Sequence, residues 1–229
     1  MEDYMEHTEV KEFSLTEFFS RIYALVGLGI GVSAIVSFLM LTVFQDNLIA
    51  IIYSESAVLP VSWIVEVALV FWLSGAAIRN KGLALPGFFV YSALNGFTLS
   101  VTLAYYNVNS IAQAFLVSAI MFFALAFIGI KTKRDLTGLG KSLRAALIGL
   151  IIAIVINLVL GNSMMNLLVS LASVAIFSGL IVYENNLIIK VYEQNRGNVR
   201  EGWAIAMALS LYLDFINLFI SILRLTSKD

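Results

Sequence analysis

Seven stretches of the chain are apolar for about the length that crosses a bilayer's hydrocarbon core, roughly 20 residues. This constrains the fold more than any other feature. They run over about Ile22–Phe44, Ala57–Ile78, Gly82–Tyr105, Ile111–Ile130, Ala145–Leu160, Met164–Ile189 and Ala204–Leu223, the fifth being the shortest. Asn47–Tyr53, between the first two, is also apolar and is expected to lie in the interface. Only 13% of the 229 residues are charged, about half the share in a soluble domain. No soluble core could hide the 60% that are hydrophobic, so lipid must be the solvent for most of the chain. The expected fold is an all-α integral membrane protein, a seven-transmembrane helix bundle. Its domain spans 21–229 behind an acidic cytoplasmic tail at 1–20.

The basic residues orient the bundle. Twelve of the 14 Lys and Arg fall in the tail and in the second, fourth and sixth loops. They are Lys11 and Arg21; Arg79 and Lys81; Lys131, Lys133, Arg134, Lys141 and Arg144; Lys190, Arg196 and Arg200. The first, third and fifth loops hold none, and only Arg224 and Lys228 lie at the far end. Cytoplasmic loops carry the excess of positive charge, so the N-terminus is expected inside and the C-terminus outside. Adding or removing a span in mid-chain would scatter this bias. The tail carries six acidic residues where a signal peptide has a basic region. It is therefore not expected to be a signal, and an interfacial helix is expected over Phe13–Phe19.

Several function classes drop out. A net charge of −1 gives no electrostatic case for nucleic acid. The absence of cysteine removes disulfides, thiol nucleophiles and thiolate metal sites, and mildly favours a prokaryotic source. His7 stands alone in the tail, with no cluster to form a zinc site. Gly27, Gly29 and Gly31 imitate a nucleotide loop, but no strand precedes them, and close helix packing explains them. No Ser–His, Cys–His or HExxH arrangement exists, so no catalytic residue and no cofactor are expected. The basic loop KTKRDLTGLGKSLR reads as a topology signal that also attracts anionic lipid.

What remains is a few ionisable groups in lipid. Glu66, Glu184 and Asp214 lie well inside spans, where each costs about 2.5–3.5 kcal/mol and needs a partner or a wet path. At 1.5 Å rise per residue, Glu184 and Asp214 fall roughly 9–15 Å below the same surface, on sequential helices. In the seventh span, Ser210, Asp214, Asn217, Ser221 and Arg224 recur at offsets of 0, 4, 7, 11 and 14. That polar face cannot turn to lipid, so the last helix is expected at the centre of the bundle, enclosed by the first six. A weaker seam, Tyr91, Asn95, Thr98 and Thr102, marks the third span; interhelical hydrogen bonding explains it. The sixth span adds Ser170, Ser173 and Ser178 on the outer side of Glu184. Arg224 either snorkels to the outer surface or turns inward to pair with Glu66.

The run MALSLYLDFINLFISILRL, Met207–Leu225, resembles the last span of the bacterial Bax-inhibitor-type family, also called the transmembrane Bax inhibitor motif family. The resemblance extends over the whole chain: Glu66, the GFTLS turn at Gly96–Ser100, the loop IKTKRDLTGLG and the tyrosine–acid end of span six. It implies seven spans around a central last helix and a pH-sensitive leak of calcium ions. It also implies a control pair of acids at Asp214 and the end of span six, with Glu66 and Arg224 near the outer mouth. Where relatives read tyrosine–aspartate, this chain reads Tyr183–Glu184, which keeps the charge and adds one methylene. Arg79, near the end of span two, is a candidate to touch the pair.

On this reading Glu184 and Asp214 share a proton across one hydrogen bond and titrate as a unit. Losing the proton leaves two facing carboxylates that attract a divalent cation; gaining a second removes the anionic acceptor. Oxygen ligands suit Ca²⁺, here a transported ion, with protons and the lipid bilayer as the other partners. A second reading is a regulatory protein that binds membrane proteases or death-pathway partners through its acidic tail and basic loops. An intramembrane hydrolase is a third.

Overall fold

The computed structural model describes residues 14–54, 58–79 and 82–227. The expected tail, with His7 and Lys11, falls outside them apart from its last residues, as do Lys81 and Lys228. Among the described residues there are eight helices: α1 (Leu15–Thr42), α2 (Gln45–Ser54), α3 (Val58–Ile78), α4 (Ala84–Leu103), α5 (Val108–Lys131), α6 (Thr137–Leu160), α7 (Ser163–Gln194) and α8 (Glu201–Thr226). All but the short α2 are long and apolar enough to cross a membrane.

Helix ends depart from the hydropathy boundaries for a local reason. Hydropathy marks where lipid stops; hydrogen bonding and capping mark where a helix stops. Among the described residues no separate interfacial helix precedes the first span, and Phe13 lies outside them. Ser14 caps α1 by accepting from the Glu17 amide at 3.2 Å, and the Glu17 carboxylate accepts from the Ser14 amide at 2.8 Å. This capping box starts one continuous helix at Leu15. The fifth span, shortest by hydropathy, begins eight residues before Ala145, at Thr137, because α6 takes Lys141 and Arg144 into its first turns. α7 likewise runs past Ile189 to Gln194.

Two links fix one end of the bundle. Arg21 near the start of α1 pairs with Glu201 at the start of α8, and Lys190 near the end of α7 pairs with Asp135 in the α5–α6 linker. The basic loops therefore gather at one end. α8 is central: 72% of its most apolar window is buried, against 11% for α6. It packs on α1, α3, α4, α5 and α7, whereas α6 stands one layer out, against α7.

Small residues set how closely the helices approach. Gly29, Ser33 and Ser37 of α1, spaced one turn apart, face Phe88, Ser92 and Gly96 of α4. Ser33 and Ser37 donate to the carbonyls of Ser92 and Gly96 at 2.7 and 2.6 Å. A Cβ on Gly96 would lie 2.6 Å from the Ser33 carbonyl oxygen and 2.8 Å from its Cα. Of the three α1 glycines, only Gly29 does such work; Gly27 and Gly31 have nothing within 4 Å of an added Cβ, because 100° per residue turns them away from α4. Gly96→Ala should cost about 1–3 kcal/mol, the usual penalty for overpacking, and Gly31→Ala should be near neutral. Thermal unfolding in detergent checks this; equal Tm values for both variants would contradict the α1–α4 packing.

Candidate functional site

The second half of α7 contains Tyr183–Glu184–Asn185–Asn186, and all four side chains are buried. Together they meet three other helices. Asn185 accepts from the Tyr23 hydroxyl of α1 and donates to the Ile181 carbonyl. Asn186 donates to the Thr132 carbonyl at 2.8 Å, satisfying an exposed end of α5. Tyr183 lies against α6, where Gly140 leaves room for its ring. Glu184 turns toward Arg144 of α6, whose guanidinium is 3.7 Å from Oε1 and 5.3 Å from the centre of the Tyr183 ring.

Asp214 projects from the middle of α8, 6% exposed, and its Oδ2 has no hydrogen-bond partner. Glu184 and Arg144 both act on it electrostatically, so the three charges form one group. The hydrogen bond expected between the two carboxyls is absent among the described residues. Glu184 answers the guanidinium instead, since a cation offsets a buried carboxylate better than a second acid does. Arg79, the basic residue considered for this place, is exposed beyond α3 and makes no ion pair among the described residues.

The rest of the polar stripe on α8 divides. Asp214 and Ser221 are buried, Ser210 and Asn217 are half-buried, and Arg224 is exposed. With Trp203, Ala206, Leu213 and Ile220, the last three form a half-open line along the helix at spacings of three and four. Asn217 donates to the Leu213 carbonyl and Ser221 to that of Asn217. These back-bonds satisfy both side chains within their own helix, so neither needs a facing span. On α7, Ser170 and Ser173 do the same, whereas Ser178 Oγ is buried without a partner.

Glu66 and Arg224 are not brought together. Arg224 lies exposed in the last turn of α8, and no ion pair joins it to Glu66 among the described residues. Glu66 is buried and is answered by α4: the Thr98 hydroxyl donates to Oε1 at 2.6 Å, and the Asn95 side chain bonds the same carboxylate. Asn95 Oδ1 accepts from the Tyr212 hydroxyl of α8 at 2.8 Å, and that hydroxyl lies 2.6 Å from the Ser33 hydroxyl of α1, whose one proton serves either it or the Ser92 carbonyl. A polar layer thus crosses α3, α4, α8 and α1. Sequence reasoning treated Asn95 and Thr98 as packing contacts and passed over Tyr212 and Ser33. It also counted Arg144 only as a topology charge. The available signals were the small-residue spacing at Gly29, Ser33 and Ser37, and the tyrosine two positions before Asp214.

A bundle of seven apolar helices around a last helix with a buried acid is a polytopic membrane protein. Residues 15–229 match the family described as Inhibitor of apoptosis-promoting Bax1, and the chain belongs to that family. It is 51% identical over 229 residues to a membrane protein of Streptococcus pyogenes serotype M6, all of both chains being covered. To the protein YrjE of Lactococcus lactis it is 48% identical over 211 residues, 92% of this chain and 90% of that one. To the inner membrane protein YbhL of Escherichia coli K12 it is 40% identical over 167 residues, 71% of each. It is a multi-pass integral membrane protein.

Tyr212→Phe leaves Asn95 and Ser33 short of a buried partner and should destabilise the protein by about 1–3 kcal/mol, read as a lower Tm in detergent. At the basic end, Lys190 and Thr137 hold the Asp135 carboxyl well below the usual carboxylate range. A depressed carboxyl contributes stability above its unfolded value, near pH 4, and loses it as pH falls through the folded one. Stability curves of Asp135→Asn and wild type should therefore run parallel between about pH 5 and 8 and converge only below about pH 4. A gap that widens between pH 5 and 8 would place the tether's titration elsewhere.

Proposed function

We propose that this protein is a pH-sensitive leak for cations, calcium among them, in a bacterial plasma membrane, gated at Glu184 and Asp214. The observation that carries this reading is the unpartnered carboxylate oxygen of Asp214 on the central helix, beside Glu184 and Arg144. A buried oxygen of that kind is costly as mere packing and suits a group that exchanges protons or meets an ion. The basic end faces the cytoplasm and the C-terminal end of α8 faces outward. Calcium is cargo held by carboxylate oxygens, and no cofactor is needed.

Protonation acts on the closure through charge. With both acids ionised, two carboxylates face one guanidinium, and the surplus negative charge attracts a cation. Protonating Glu184 removes Arg144's acceptor and loosens α6 from α7. Protonating Asp214 removes the surplus. Glu66, with its Thr98 and Asn95 partners, is a second acidic station between α3 and α4, and Ser210 and Asn217 stand on the half-open line of α8. Arg224 stands at its exit.

Reconstituted into liposomes, wild type should pass Ca²⁺ at a rate that changes with pH by up to about tenfold per unit, the limit for one controlling proton. Asp214→Asn and Glu184→Gln should each flatten that profile. A pH response left intact in both variants would remove the pair from the mechanism. Intact protein that passes no cation at any pH would remove the leak.

A further inference from the structure

Arg144 holds a position that neither charge topology nor helix packing requires. Gly140, one turn earlier on α6, lies against the Tyr183 ring, where a Cβ would collide with it. Leu143 sits on Gly179 of α7, 2.8 Å from where a Cβ would be. These two contacts fix the register of α6 on α7 and deliver the guanidinium over the same Tyr183 ring, 5.3 Å from its centre. A cation over an aromatic face is attracted without losing its water on the open side.

Its grip on the acid is loose by comparison. A well-seated arginine–carboxylate pair makes two parallel bonds at about 2.7–2.9 Å; here the closest approach is 3.7 Å, to one oxygen. The Glu184 side chain is only 9% exposed, whereas that of Arg144 is 58% exposed. The head group can leave the carboxylate for water without moving any helix, since α6 packs chiefly on α7. No other described cation takes its place: Lys190, six residues beyond Glu184, is engaged by Asp135. One guanidinium therefore faces two buried carboxyls, and one oxygen of Asp214 is left without a partner. What this group lacks is positive charge, which is what a passing cation brings.

We propose that Arg144 is a tethered counter-cation that competes with the permeating ion for Glu184 and Asp214 and so sets how tightly that ion is held. This rests on the cation-leak reading of the same pair and names the residue that tunes it. Seated, the guanidinium partly neutralises the pair and keeps a weakly attracted ion out. A divalent ion with the stronger claim on the two carboxylates displaces it to the open side of the Tyr183 ring. Arg144 is thus a positioning and specificity-determining residue.

The test measures equilibrium binding of Ca²⁺ to the detergent-solubilised full chain, beside Ca²⁺ flux into liposomes. The variants are Arg144→Gln, Arg144→Lys and Arg144→Gln combined with Glu184→Gln. Arg144→Gln should bind Ca²⁺ at least about threefold tighter than wild type, the size expected from releasing a half-exposed ion pair. Arg144→Lys should restore wild-type affinity to within about twofold, since the charge is kept. The gain should vanish when Glu184→Gln is added. A purely structural arginine would instead lower Tm and leave affinity unchanged, which overturns the proposal, as does the absence of Ca²⁺ binding in every variant. Should Arg144→Gln fail to fold, Tyr183→Leu removes the ring that steadies the guanidinium and should tighten binding in the same direction; unchanged affinity there also overturns it. Tighter binding without flux in any variant supports the counter-cation and discards the leak.

Discussion

A carboxylate carried into the middle of a membrane bundle must be answered from within the protein, because lipid offers neither charge nor hydrogen bonds. Two of the three buried acids, Glu66 and Asp214, are answered in opposite ways. Glu66 meets neutral donors, the Thr98 hydroxyl and the Asn95 amide, and becomes one member of a closed hydrogen-bonded layer. Asp214 has an oxygen with no donor at all and stands between the attraction of Arg144 and the repulsion of Glu184. A satisfied network rigidifies; an unsatisfied one stays responsive to protons and ions. The contrast divides the molecule into a fixed part and a changeable one.

The fixed part is α1, α3 and α4 with the near side of α8. Gly29, Ser33 and Ser37 let α1 lie so close to α4 that hydroxyls reach carbonyls of the facing helix. Tyr212, fully buried, ties α8 into that group through Asn95 and Ser33. Tyr212 and Asp214 are two residues apart, about 200° around a helix. The same turn of α8 is thus anchored on one side and presents its acid on the other. The acid faces the less constrained part, where α6 rests chiefly on α7 and contributes a half-exposed arginine.

Much of this was legible in the chain. Seven spans, their common basic end and the central place of the last helix followed from hydropathy and from the spacing of Asp214 and its polar neighbours. The family followed from Met207–Leu225 and the segments that accompany it. Arg144 was not legible: one arginine among five basic residues between spans four and five looks like any other topology signal. Only the register of α6 on α7, set by Gly140 against Tyr183 and Leu143 against Gly179, brings it to Glu184. Nor could spacing reveal that Asn217 and Ser221 bond back to their own helix, leaving part of the polar stripe on a half-open line.

By itself the sequence determined that the chain spans a membrane seven times, because the cost of placing apolar surface in water or charge in lipid depends only on which residues stand where. It also determined which groups would be costly inside, namely Glu66, Glu184 and Asp214. Tertiary structure alone decided who answers each of them. A hydrogen bond or ion pair requires atoms within a few ångströms of one another, and here the partners come from a different helix, placed there only by packing: Thr98 for Glu66, Arg144 for Glu184, and no donor for one oxygen of Asp214.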